Sequence, residues 1–153
     1  MTWITASDDD KPILEEIEKQ TDRASALIAT SYLEDRLLSA IKARIVRDDK
    51  LEQKMFRGSG PLTAFSAKID LAFMLGIYGG EVQKMLHTIR EIRNEFAHQP
   101  QPRDFNSQRI KDLCDNISFS AYPFLRPSPC ITKPPTYGLI LHSLPMEHLE
   151  PHL

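Results

Sequence analysis

Residues 24–45 read Ala24-Ser25-Ala26-Leu27-Ile28-Ala29-Thr30-Ser31-Tyr32-Leu33-Glu34-Asp35-Arg36-Leu37-Leu38-Ser39-Ala40-Ile41-Lys42-Ala43-Arg44-Ile45. Within this stretch Ala24, Leu27, Ile28, Ser31, Leu38, Ile41 and Ile45 recur at steps of three, four or seven, the period of an α-helix that buries one stripe. The same spacing extends back to Ile13 and on to about Val46. Pro12 suits a first helical turn, where no backbone donor is required, and Asp8, Asp9 and Asp10 complement the positive helix N-terminus. Thr21 followed by Asp22 offers a second starting point, so Ile13–Gln20 reads either as part of one long helix or as a separate segment. Arg47-Asp48-Asp49-Lys50 reads as the exposed end.

Beyond it, Gly58-Ser59-Gly60-Pro61 is the clearest interior break, because glycine and proline at this density suit a turn. Its spacing is not that of a phosphate-binding loop, and Thr63 or Ser66 is expected to cap the next helix. Phe65, Ile69, Ala72, Phe73 and Gly76 predict a second helix that stops near Gly79-Gly80. A third runs from Glu81 through Val82, Met85, Leu86, Ile89 and Phe96. It ends near His98, since Pro100 disfavours helical geometry at Gln99. A fourth begins near Asn106 or Ser107 and carries Ile110, Leu113, Cys114, Ile117 and Ala121 in register. The reading is an all-α bundle of four to five helices over residues 1–122. Residues 123–153 hold seven of the eleven prolines and no amphipathic period, and read as an irregular Pro-rich tail. Tyr137–Leu141 in that tail is strand-like but has no evident partner.

Length and composition agree with one domain. The chain has 153 residues, 41% hydrophobic and 26% charged, with 19 basic and 21 acidic residues for a net charge of −2. That balance speaks against direct DNA binding by bulk charge, since such domains have a pI above about 9. Cys114 and Cys130 form neither a CxxC pair nor a disulfide framework. No stretch reaches the roughly 18 apolar residues that would span a bilayer, and the acidic start is unlike a signal peptide, so the expected location is the cytoplasm. No cofactor is indicated. His142, His148 and His152 in the tail lack the fixed spacing of metal ligands, so no metal site is expected. Trp3 reads as a residue docked on the bundle.

The chemistry-bearing segment is His87-Thr88-Ile89-Arg90-Glu91-Ile92-Arg93-Asn94-Glu95-Phe96-Ala97-His98. In one reading it is a solvated helix face, with Glu91 and Glu95 offsetting the arginines and His98 favoured at the negative helix end. In the other, Arg93 and His98 act on a phosphodiester. Histidine moves protons near neutral pH, and the arginine fork grips phosphate oxygens. Asn94, four residues before His98, would orient the imidazole. Five helical steps set Arg93 and His98 about 140° apart, so they meet only through a bend or fray before Pro100 or through a second copy. Likewise Glu34, Asp35 and Arg36 are either solvated or paired with Arg90 or Arg93. Ser66-Ala67-Lys68 points its serine and lysine to different faces and is no nucleophile pair.

The pattern Arg93-Asn94-x-x-x-His98 at the end of a bundle helix resembles the signature of the HEPN superfamily of small helical domains. Three blocks resemble the mannitol operon repressor (MltR) family more closely. They are Thr21–Leu37, Gly58–Ala72 and Leu86–His98, spanning with their spacers roughly residues 15–120. The resemblance implies an up-and-down HEPN-like bundle, a homodimer, and a regulatory protein acting through protein partners without a familiar DNA-binding motif. The superfamily implies an alternative: a metal-independent endoribonuclease that takes RNA, in which Arg93 grips phosphate and His98 is the acid/base. Such an enzyme would suit a toxin–antitoxin or defence system. His87, Arg90, Glu34 and Arg36 are the further candidate binding residues.

Overall fold

Thr21 separates the first two helices. Its backbone is extended and its side-chain oxygen accepts from the Ala24 amide at 3.4 Å, so one helix stops before it and another starts after it. The computed structural model describes residues 11–98 and 104–117, which form α1 (Lys11–Lys19), α2 (Asp22–Lys42), α3 (Asp49–Phe56), α4 (Phe65–Met74), α5 (Gly80–His98) and α6 (Gln108–Asp115). No strand occurs among the described residues, and the architecture is an all-α bundle. Its six helices exceed the expected four to five.

Two helices organise the packing. α2 lies against α1, α4 and α5, while α5 lies against α2, α4 and α6. A helix enclosed on several sides is apolar around much of its circumference, which blurs any single stripe. This corrects the expected core face of α2. Ala26, Ala29, Thr30, Leu33, Leu37, Ala40 and Ile41 are buried, whereas of the expected stripe only Ile41 is. Ala24, Leu27, Ile28, Leu38 and Ile45 lie half-buried to the side, and Ser31 is exposed. The Ser25 hydroxyl donates to the Ile17 carbonyl at 2.6 Å and fastens α1 to α2.

The extra helix is α3. Asp48, expected to mark an exposed end, uses Oδ1 to accept from the Lys50 and Leu51 amides at 3.0 Å each and so caps a new helix. A salt bridge of 2.7 Å between Lys42 and Glu52 ties α3 back to α2. The Gly58–Pro61 break is a turn as expected, with Gly58 at φ +59°. The expected cap on α4 does not form. Thr63 donates its hydroxyl to the Gly60 carbonyl at 2.8 Å, and Ala64 stands at the cap position without a side-chain bond.

α4 stops earlier than expected. Gly76 takes φ +68°, its amide donates to the Phe73 carbonyl, and the Ile77 amide donates to the Ala72 carbonyl at 3.0 Å. These are the bonds of a glycine-terminated helix end, so Gly76 closes α4 and is not part of it. α5 is helical as far as His98, the last residue described before 104. α6 starts after Ser107 as expected, but Asp104 supplies the bonding, accepting from the Asn106 amide at 3.0 Å. α6 ends at Asp115, with Ile117 buried beyond it. Ala121, Trp3, Pro100, Cys130, the tail histidines, Tyr137–Leu141 and the tail itself lie outside the described residues.

Candidate functional site

α5 buries Val82, Met85, Leu86, Ile89, Ile92 and Phe96 and turns the remainder of its circumference outward. That division sets where each candidate side chain stands. His87, half-buried, approaches α4 with Nε2 3.0 Å from Asp70 Oδ1. Asp70 also accepts from Gln83 Nε2 at 2.9 Å. The hydrogen bond with His87, then that from Gln83, hold the Asp70 carboxyl below its ordinary value of 3.8 by favouring the charged form.

One turn on, Arg90 is half-buried, and its Nε is enclosed without a hydrogen-bond partner among the described residues. Arg93 is exposed and donates from Nη1 to Asn94 Oδ1 at 3.2 Å. His98 is exposed in the last turn. α5 continues unbroken through both residues, so the bend or fray that would join them within one chain is absent. On such a helix the two positions are about 140° apart around the axis and about 7.5 Å apart along it. The fold thus brings His87 to Asp70 and Arg93 to Asn94, and leaves the Asn94 oxygen serving Arg93.

Glu34 pairs with neither Arg90 nor Arg93. Its partner is Lys68 of α4 at 2.5 Å, and Lys68 Nζ also donates to the Thr63 carbonyl at 3.1 Å. Lys68 is only 6% exposed, and the pair joins α2 to α4. Arg36 is exposed, with its guanidinium 5.8 Å from the centre of the Tyr32 ring. Asp35 is exposed as well.

Three contributors were not singled out in the sequence as parts of this region. Lys68 had one signal, a lone cation in the run from Phe65 to Phe73, whose other polar residues are Ser66 and Asp70. Asp70 had none beyond its charge. Arg23 is the third: its Nε donates to the Phe96 carbonyl at 2.6 Å, placing a cation on the negative end of α5. No spacing rule reaches across the 73 residues between them.

Chemically, the arrangement offers cations for an anionic group, and among the described residues neither Cys114 nor Tyr78 is activated as a nucleophile. Burial pushes the Cys114 thiol up to about 11, with the Asp115 charge adding to the shift. Burial also raises the Tyr78 phenol, whose hydroxyl donates to the Ile69 carbonyl at 2.7 Å. Among the described residues no group of three or more His, Cys, Asp and Glu side chains is placed to hold a metal ion. No helix among them is long and apolar enough to cross a membrane. No protein-family model, no curated protein and no solved structure matches the chain.

Proposed function

We propose that this chain is a cytoplasmic helical regulatory protein of the mannitol operon repressor type, acting through protein partners, with the outer side of α5 as its contact surface. One observation carries the reading: Arg90 holds a buried Nε donor with no acceptor among the described residues. A buried donor left unsatisfied costs about 1–3 kcal/mol, and a half-buried Arg90 side chain that swings outward onto an acceptor of a second molecule would recover that energy. Arg93 and His98 stand exposed along the same helix, and neither forms an ion pair among the described residues. A second copy of the chain is the first partner to test. Light scattering of the untagged chain at micromolar concentration should give a dimer, and Arg90→Ala should weaken it. A monomer at all concentrations would remove the homodimer from this reading.

A second reading, the metal-independent endoribonuclease, is favoured by the exposure of both Arg93 and His98. It requires a second copy to bring an imidazole beside a guanidinium, because one unbroken helix keeps them apart. Structured and single-stranded RNA incubated with the protein in chelator is the test. Cleavage abolished by both Arg93→Ala and His98→Ala supports the enzyme. Absence of cleavage, or cleavage that survives both substitutions, eliminates it.

A further inference from the structure

Residues 42–57 carry a charge balance opposite to that of the chain. Lys42, Arg44, Arg47, Lys50, Lys54 and Arg57 stand against Asp48, Asp49 and Glu52, giving +3 in a chain of −2. The acids are largely committed. Asp48 accepts backbone amides at the start of α3, and Glu52 is paired with Lys42. Arg47, Lys50, Lys54 and Arg57 are all exposed, and none has an ion-pair partner among the described residues. Between these cations stand two of the most exposed large aliphatic side chains of the described fold, Val46 at 91% and Leu51 at 56%. α3 turns Phe56 into the core and Met55 against it. At about 100° per residue, Lys50 and Lys54 then share the opposite, outward side, and Leu51 stands on its flank one turn before Met55, still 56% exposed.

We propose that this outward side of α3, with the Val46 turn before it, is a docking surface for an acidic protein segment that carries an aliphatic anchor. Charge complementarity selects the sign of the partner, and the aliphatic pair selects its kind. A nucleic-acid backbone would engage the cations but leave Val46 and Leu51 idle, and among the described residues no aromatic side chain is exposed here for bases to stack on. A bilayer interface needs a broad apolar helix face, and α3 presents its own to the core. An acidic segment with one or two leucines uses both features together. The proposal rests on the reading that the chain works through protein partners, but it involves α3 and not the α5 cations, so the two can fail separately.

The test uses the full chain and a fluorescent synthetic peptide of glutamates with two leucines one helical turn apart, followed by anisotropy. Parallel arms use the same peptide with serines for leucines, a single-stranded RNA, and vesicles of phosphatidylcholine with phosphatidylserine. The leucine peptide should bind, and Lys50→Glu with Lys54→Glu should weaken it about tenfold or more. Leu51→Ser and the serine peptide should each weaken it several-fold, while Arg93→Ala should leave it unchanged. All variants concern exposed positions, and circular dichroism checks that they fold. No binding of the leucine peptide overturns the proposal. So does binding indifferent to Leu51→Ser, or RNA or vesicle binding that is tighter than the peptide's and lost with the same lysines.

Discussion

At Gly60 the α3–α4 turn allows no Cβ. One added there would lie 2.4 Å from the Lys54 carbonyl oxygen and 2.6 Å from that of Met55, both backbone atoms that cannot step aside. The Met55 carbonyl is already held by the Leu62 amide at 2.9 Å, so a shift would break that bond too. Gly60→Ala should therefore destabilise the fold by about 1–3 kcal/mol, the usual cost of an overpacked site. Gly79→Ala is the matched control. Nothing lies within 4 Å of a Cβ there, and urea unfolding should find it within about 0.5 kcal/mol of the parent. A second prediction at this scale concerns Cys114. Burial raises its thiol to about 11, so in a Cys130→Ser background its alkylation at pH 8 should be slower in the folded chain than in urea by on the order of tenfold or more. Equal rates would contradict the burial.

Between elements, two polar contacts fix α4. On one side Glu34 of α2 holds Lys68, and on the other His87 of α5 holds Asp70. Removing Glu34 leaves the Lys68 ammonium buried with only the Thr63 carbonyl. The Glu34 side chain is 29% exposed, which lets water soften the loss, so Glu34→Ala should cost about 1–3 kcal/mol, below the value for a fully buried pair. Adding Lys68→Met should restore most of that stability, because it removes the stranded charge. At Asp70 the folded carboxyl is held below its ordinary value. Its stabilising contribution is therefore present above that ordinary value and fades as pH falls through the lowered one. Thermal unfolding of the parent and Asp70→Asn should differ near neutral pH and converge in acid. A gap that persists or widens at low pH would reverse this assignment.

Across the whole molecule, the far end of α5 is closed by parts distant in sequence. Phe96 is fully buried and meets Phe105 edge to face, with ring centres 5.0 Å apart. The Phe105 amide donates to Asp22, and Arg23 donates to the Phe96 carbonyl. The start of α2, the end of α5 and the segment before α6 thus form one joint. Phe96→Ala should cost about 3–5 kcal/mol. Since domains this size hold only about 5–15 kcal/mol in all, the variant should melt far below the parent in a thermal scan. A loss under about 1 kcal/mol, the ordinary effect of a point substitution, would show that the joint is not essential.

Periodicity and breakers were enough to read an all-α bundle, the turn at Gly58–Pro61, and a helix that begins after Ser107. These are local matters of backbone geometry and capping, decided by neighbours a few residues away. The core face of α2 was not legible, because a helix enclosed by three others is apolar on more than one side and only its neighbours decide which side is deepest. Nor was α3, whose start depends on one aspartate folding back onto two amides. For the candidate site the sequence set out the cations of α5 and their spacing. Tertiary structure alone decided that Glu34 goes to Lys68, that His87 goes to Asp70, and that the donor on Arg90 has no acceptor among the described residues. Ion-pair choice depends on which helices pack together, and nothing in the order of residues states that distance.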